Sequence, residues 1–282
     1  MFSVSDIATI TSYLKQTGVT VAVGSAINLA LTLLWALRWR SGLRFLGLRT
    51  SYLQALEAIT SSFPIGTVLP GNKAAQEAFR VAYLRAPSSE RGKVISATTM
   101  EWVSEGLVLS ALVLVAIILR SPLVTFGLVS YAQVEKARPQ GALRRAINDL
   151  VNDLKLLASS KRMMTVYIGT STLIVLLDMF KVTYMLVLLG YVPPVIDAVI
   201  LYIVLRLSSL APTPAGAGVF EAGAFAALTL IGAPADIAAL YIIAIRIVDT
   251  LIPAGVGLVV LTVTGGLRIL SGARRRLSYG KP

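Results

Sequence analysis

Cysteine and histidine are both absent from this sequence of 282 residues. The lack of cysteine excludes disulfides, thiolate metal sites and a cysteine nucleophile. The lack of histidine removes the commonest general base and the commonest metal ligand. These absences weigh against a Ser-His-Asp hydrolase and against a zinc enzyme. We therefore predict that the chain is not an enzyme and that it holds no metal ion and no cofactor.

Charged residues are scarce, since they make up 14% of the chain, whereas hydrophobic residues make up 56% and the mean hydropathy is +0.77. Such values are typical of polytopic helical membrane proteins. The longest polar stretch runs from about Arg120 to Arg162 and is too short for a soluble domain with its own core. We therefore predict an all-α, multi-pass protein of the cell membrane, with a single membrane domain over residues 1–282.

Acidic residues are fewer than basic ones, 14 against 26, which gives a formal net charge of +12. The basic residues cluster in four segments: Arg38–Arg49, Lys73–Lys93, Lys136–Arg162 and Arg268–Lys281. Clusters beside apolar spans agree with the positive-inside rule and with contact to anionic lipid headgroups. No separate basic domain could carry nucleic acid, so we expect no nucleic-acid partner.

The predicted elements occur twice in the same order: two spans, a break rich in proline and glycine, a short helix and a long span. The chain divides into a first repeat (17–119), a polar linker with an amphipathic helix (120–162), a second repeat (163–264) and a basic tail (265–282). Three pairs of residues correspond at an offset of 144 residues: Pro70 with Pro214, Glu77 with Glu221, and Glu105 with Asp249. Duplicated halves with breaks at corresponding positions point to a transporter with a binding site near the bilayer midplane.

The short helices decide the predicted topology. The helix expected over Val219–Leu230 would be about 18 Å long, which is too short for a hydrocarbon core of about 30 Å. We therefore expect re-entrant helices, which gives two inverted halves of about three spans plus one short re-entrant helix each. The basic linker and the basic tail would then lie on opposite sides. The alternative is that the short helices cross fully, which gives four crossings per half; the orientation stays open.

The second break, from Pro212 to Glu221, ends in a carboxylate between apolar stretches. Broken backbone at membrane depth must be buried in protein or line a cavity, and a carboxylate there is costly and marks a candidate functional site. Gly216 and Gly218 let neighbouring backbone approach closely, and the helix that follows offers N–H donors to an anion such as a lipid phosphate. The alternative is that Glu221 caps its own helix.

Four residues of the first half are further candidates for headgroup binding. Glu77 and Arg80 are three residues apart and share a helix face, so they form either the counterpart site or a solvated ion pair. Glu101 and Glu105 are four residues apart on one span and need cations, protons or a wet cavity. The candidate partner cations are Lys73, Arg80, Arg206 and Arg246.

Other charged and aromatic residues have structural explanations. Arg246 and Asp249 are three residues apart in the last span and are expected to pair with each other, as are Asp178 and Lys181 in an earlier span. Arg206 lies near a span end, where snorkelling explains it. The tryptophans are predicted to form an interfacial belt: Trp35, Trp39 and Trp102.

The stretch from Leu210 to Gly255 resembles the transmembrane domain family of lysylphosphatidylglycerol synthase, the flippase-like domain of multiple peptide resistance factors. The family pattern is Pro-x-Pro-Gly-Gly-x-Gly-x-x-Glu, an apolar helix, a glycine, and an arginine in the last span. The matching residues are Pro212, Pro214, Gly216, Gly218, Glu221, Gly232 and Arg246, whereas Ala215 replaces the first glycine of the pair. An N-terminal family motif is matched loosely by Pro70, Gly71, Glu77, Arg80, Leu84, Arg85, Glu101 and Glu105.

The resemblance implies an integral membrane protein that moves or accommodates phospholipid between leaflets. We expect a stand-alone member, since no aminoacyl-transferring domain is found and synthase activity is not implied. The expected partners are the membrane and phospholipids or polyprenyl-phosphate-type lipids, with a homo-oligomer or a lipid-enzyme partner also compatible. One alternative is a non-transporting scaffold or partner subunit of a lipid-modifying enzyme. Another is a transferase that acts on a polyprenyl phosphate, for which Glu101 and Glu105 give weak support.

Overall fold

The computed structural model describes residues 4–70, 72–87, 90–118 and 152–264, and these residues form helices and no strand. In chain order the helices are α1 (Val4–Phe45), α2 (Tyr52–Val68), α3 (Asn72–Tyr83), α4 (Arg91–Ile118), α5 (Lys161–Leu188), α6 (Val195–Ser208), α7 (Val219–Leu230), α8 (Ala235–Arg246), a π-helical turn (Ile247–Leu251) and α9 (Ile252–Val263). Residues 152–159 are also helical. The all-α prediction is confirmed. The basic tail and most of the predicted linker lie outside the described residues.

Four helical segments are long and apolar enough to cross a membrane: Lys15–Phe45, Arg91–Ile118, Lys161–Leu188 and Ala235–Val263. The chain is therefore a multi-pass membrane protein. The second predicted span of each half is shorter, with 17 residues in α2 and 14 in α6. Helices of about 26 and 21 Å fall short of a core of about 30 Å.

Each short span pairs with the short helix that follows it. α2 packs against α3, and α6 packs against α7. The Tyr83 hydroxyl at the end of α3 donates to Glu57 near the start of α2, at 3.3 Å, so these two helices run antiparallel. The re-entrant unit that we expected as one helix is thus a helical hairpin. Each half consists of a long helix, a hairpin and a long helix.

The first long helix of each half ends in the same way. Gly47 and Gly190 follow leucines and have φ of 85° and 95°, a conformation that glycine adopts without steric cost. The N–H of Gly47 donates to the carbonyl of Arg44 at 3.1 Å, and that of Gly190 donates to Val187 at 3.0 Å. These bonds satisfy carbonyls at the helix C-terminus. The local sequence Leu-Gly therefore stops α1 and α5 at corresponding points.

α1 and α5 cross in antiparallel directions, which shows that the two halves are inverted. Gly24 of α1 lies against Met185 near the end of α5, and Gly42 near the end of α1 lies against Tyr167 near the start of α5. Gly24 is 143 residues before Tyr167, and Gly42 is 143 residues before Met185. The two contacts are therefore equivalent under a twofold axis that exchanges the halves.

The two ends of the bundle differ in charge. The end of α1 and the starts of α4 and α5 lie together, since Trp39 donates to Thr98 at 3.0 Å and Tyr167 donates to the Ala97 carbonyl at 3.2 Å. We call this the basic end, and its basic residues are Arg40, Arg44, Arg49, Arg85, Arg91, Lys93, Lys161 and Arg162.

The end of α9 also belongs to the basic end, because Thr264 is hydrogen-bonded to Tyr83 of α3. The last described residues of the linker and the first residues before the tail are therefore on one side. The expectation that they lie on opposite sides is wrong for the described ends. The reason is that each half contributes two long helices and a hairpin instead of three spans.

Candidate functional site

The tips of the two hairpins meet inside the bundle. The turn of the second hairpin, Pro214–Gly216, packs against α2 and α3 of the first hairpin. Beside this contact lies a polar cavity of about 170 Å³. Charged side chains from both halves line the polar cavity: Arg38, Lys73, Arg80, Lys181, Arg206 and Arg246 with Glu77, Glu101, Glu105, Asp178 and Asp249.

In the first half, the carboxylates of α4 are held by cations from two other helices. Arg38 of α1 lies between them, with Nε 3.1 Å from Glu101 Oε1 and Nη2 2.6 Å from Glu105 Oε1. Arg80 Nη1 lies 3.3 Å from Glu101 Oε2, and Lys73 Nζ lies 3.7 Å from Glu105 Oε2. Lys73 and Arg80 were among the expected partners. Arg80 therefore pairs with Glu101 and not with Glu77, which leaves Glu77 on the cavity wall.

Arg38 is the residue that sequence reasoning missed. It stands in the basic run at the end of the first span, where the positive-inside rule explains an arginine without any site. The structure buries its side chain to 2% exposure. Its Nη1 donates to Ser171 Oγ of α5 at 2.8 Å, so the guanidinium joins α1, α4 and α5.

In the second half, Lys181 of α5 occupies the corresponding place. Its Nζ lies 2.9 Å from Asp178 and 2.5 Å from Asp249, and Arg206 Nη2 lies 2.5 Å from the other oxygen of Asp178. The predicted pair of Asp178 and Lys181 is therefore confirmed. The predicted pair of Arg246 and Asp249 is wrong, because α5 supplies the cation for Asp249. Arg206 forms a buried ion pair and does not snorkel.

The two halves thus repeat one ion pair. Arg38 and Lys181 are 143 residues apart, and Glu105 and Asp249 are 144 residues apart. In each half the cation comes from the first long helix and the carboxylate from the last, at 2.6 and 2.5 Å. Asp249 lies in the π-helical turn between α8 and α9. Such turns occur often at functional sites, because the extra residue in the turn re-aims side chains.

Glu221 both caps its own helix and holds an arginine. Its Oε2 accepts the N–H of Gly218 at 2.7 Å, and its Oε1 accepts Arg246 Nε at 2.7 Å. Arg246 Nη1 donates to the carbonyl of Ala215 at 2.6 Å. Glu221 therefore has the capping role that we gave as the alternative, and it also positions Arg246.

The turn before Glu221 depends on left-handed backbone. Gly216 has φ of 70° and Gly218 has φ of 82°, which glycine adopts readily. These glycines and Glu221 shape the turn, while Ala215 and Arg246 line the polar cavity. Ala215, which stands where the family pattern has glycine, also has a positive φ of 50°.

Two arginines keep donors without a partner. Arg80 Nε and Arg246 Nη2 are buried, and neither has a hydrogen-bond partner among the described residues. A buried donor without a partner costs about 1–3 kcal/mol. Both arginines line the polar cavity from different halves, so an anion placed there can accept from both. No group of His, Cys, Asp or Glu in the described part of the chain is placed to hold a metal ion.

The tryptophans do not form the belt that we predicted. Trp39 is fully buried. Trp35 and Trp102 line the polar cavity, and the Lys73 ammonium lies 5.1 Å from the ring centre of Trp102. An aromatic face attracts a cation at such a distance. The sequence gave no sign of this, since tryptophans near span ends are typical of interfaces.

Comparison with known proteins identifies a family. The family model described as lysylphosphatidylglycerol synthase TM region matches the chain in two stretches, residues 1–134 and 130–257. No curated protein matches the chain, and no solved structure does.

Proposed function

Because this chain belongs to the lysylphosphatidylglycerol synthase TM region family, we propose that it moves a phospholipid, or another lipid with a phosphate headgroup, between the leaflets of the cell membrane. The family supports a membrane lipid-related role. Polyprenyl-phosphate-type lipids share the phosphate and are included in the proposal.

The observation that carries the proposal is the pair of unused arginine donors. Arg80 Nε and Arg246 Nη2 are buried at the polar cavity without partners. A phosphate oxygen is a strong acceptor for a guanidinium, and the planar fork of arginine suits phosphate better than an ammonium does. A headgroup phosphate would satisfy both donors at once.

The carboxylates have two roles in this proposal. Glu101 and Glu221 hold Arg80 and Arg246 in place, at 3.3 and 2.7 Å. Glu105 and Asp249 hold Arg38 and Lys181, at 2.6 and 2.5 Å. Glu77 also lines the polar cavity, and it would face the amine of a headgroup that carries one.

The test is a leaflet-exchange assay in liposomes with a fluorescent phosphatidylglycerol and a membrane-impermeant quencher. Arg80→Lys and Arg246→Lys keep the positive charge but remove the unused donors. A hydrogen bond to a charged group contributes about 1.5–3 kcal/mol, so each variant is expected to slow exchange by about tenfold or more. The control is Arg44→Lys, on an exposed residue at the basic end. A wild-type rate equal to that of protein-free liposomes would refute the proposal, as would unchanged rates in both variants.

The scaffold alternative agrees with one observation and conflicts with another. It predicts that the carboxylates are paired internally, and Glu101, Glu105, Asp178, Asp249 and Glu221 do have cationic partners. It also predicts that no cavity opens to lipid. An apolar groove beside the polar cavity, lined by exposed residues of α4, favours lipid transport over that alternative.

A further inference from the structure

An apolar groove of about 490 Å³ runs between α4, α5 and α6. On α4 it is lined by one helical face, which begins at Gly106 and includes Ser110, Leu114 and Ile117. Leu114 and Ile117 are 59% and 46% exposed, so the groove is open to the surroundings of the bundle. Because four-residue spacing keeps side chains on one face, these residues form a continuous wall.

The groove is continuous with the polar cavity. Five residues line both spaces: Lys73, Trp102, Glu105, Arg206 and Ser209. A ligand that fits both spaces has a charged part and a long apolar part joined end to end. That chemistry is a lipid whose headgroup lies in the polar cavity and whose acyl chain lies in the groove.

The direction of the groove fixes the direction of the lipid. Ile117 lies near the end of α4 that is opposite to the basic end, whereas Glu105 lies at the polar cavity. A chain that starts at the polar cavity therefore points away from the basic end. This is the chain direction of a lipid in the leaflet at the basic end, with its headgroup drawn inward.

The corresponding groove in the other half is closed. The twofold axis relates the contact of α4 with α6 to the contact of α9 with α2. There, Gly257 lies so close to α2 that an added methyl group would stand 2.6 Å from Pro64 Cδ and would collide with the carbonyl of Thr60. The structure therefore has room for an acyl chain on one side only.

We propose that the groove between α4 and α6 is the acyl-chain site for the lipid whose phosphate binds Arg80 and Arg246. The closed contact between α2 and α9 is its counterpart for a lipid of the opposite leaflet. This inference rests on the proposed function for the identity of the headgroup.

The test uses photocrosslinking in nanodiscs with a phosphatidylglycerol that carries a diazirine near the end of one acyl chain, and mass spectrometry locates the adducts. A diacylglycerol with the same diazirine chain but no phosphate is the matched probe. We expect adducts at Leu109, Val113 and Leu114 to be enriched by about tenfold with the phosphate-bearing probe. In Ser110→Trp, which fills the groove, the enrichment should disappear. In Val103→Trp it should persist, because Val103 is exposed on α4 and does not line the groove.

Each outcome separates the groove from the proposed function. Equal labelling by both probes would overturn the acyl-chain site, because the groove would then be ordinary lipid-facing surface. Enriched labelling together with no leaflet exchange by the wild type would support the acyl-chain site and refute transport. If the wild type exchanges lipid and Ser110→Trp does so at the same rate with unchanged labelling, the groove proposal fails and the transport proposal stands.

Discussion

At the scale of single residues, the candidate site depends on arginines whose hydrogen bonds are incompletely used. Arg80 and Arg246 are each anchored by one carboxylate and keep one buried donor free of partners among the described residues. The anchor fixes the guanidinium plane, and the remaining donor faces the position that a phosphate would occupy. A lysine has no such fixed fork, which explains why the type of cation matters here.

The backbone of the second hairpin turn stores strain at one residue. Ala215 has φ of 50°, a left-handed conformation that costs a residue with a side chain about 1–2 kcal/mol. We predict that Ala215→Gly raises the free energy of unfolding by roughly 0.5–1 kcal/mol, after the greater freedom of glycine in the unfolded chain is subtracted. Thermal unfolding in detergent would measure this.

Ala217 is the matched control for that change. It lies two residues further on and has φ of −56°, so glycine relieves no strain there. Ala217→Gly is expected to lower stability by about 0.5–1 kcal/mol. If both variants shift stability in the same direction, Ala215 is not strained.

At the scale of elements, the close crossing of α1 and α5 holds the two halves together. The crossing uses a glycine of each kind of contact, Gly24 against Met185 and Gly42 against Tyr167. Arg38 reinforces it with a hydrogen bond to Ser171 of 2.8 Å. Helices of inverted halves meet here face to face, so this contact is the hinge about which the hairpins are arranged.

We predict that Gly42→Ala destabilises the protein, because the new methyl group would collide with the Tyr167 hydroxyl. Overpacking of this kind costs about 1–3 kcal/mol. Tyr167→Phe removes the hydroxyl, so the double variant should lose less stability than the sum of the two single variants. Chemical unfolding of the four proteins in detergent gives the coupling energy.

Gly18 on the same helix provides the comparison for Gly42. No atom lies within 4 Å of the position of an added methyl group at Gly18. Gly18→Ala should therefore stabilise α1 by about 0.5–1 kcal/mol through its helix preference. An equal loss of stability from both alanine substitutions would contradict the close crossing at Gly42.

At the scale of the whole molecule, charge is distributed between the two ends very unevenly. Eight basic residues named above belong to the basic end, whereas the opposite end carries Asp197 and Asp236. Under the positive-inside rule the basic end faces the cytoplasm. The lipid direction inferred for the groove is then that of the cytoplasmic leaflet.

Single cysteines test this orientation cleanly, because the natural chain has none. Ser159 and Ala235 are both exposed, at the basic end and at the opposite end respectively. In intact cells a membrane-impermeant maleimide should label Ala235→Cys. Ser159→Cys should be labelled only after the membrane is permeabilised. The reverse pattern would invert the assignment.

Much of the architecture was available from the sequence. Hydropathy and the lack of cysteine and histidine indicated the class, and the offsets of 143 and 144 residues indicated the duplication. The hairpins were predicted only in part, because a stretch such as Tyr52–Val68 is apolar enough for a span and only its ends in three dimensions reveal that it is short. The site was predicted with Arg38 missing and with the wrong partner for Asp249.

The sequence by itself determined that costly charges, left-handed glycines and broken helices lie inside a duplicated membrane bundle. These properties depend on composition and on local backbone preference. Only the tertiary structure decided which cation meets which carboxylate, because the deciding contacts join residues 63 to 133 positions apart, as Arg38 does with Glu101 and Ser171. Sequence spacing reports neighbours on one helix face, whereas the polar cavity is built from helices that meet across the inverted halves.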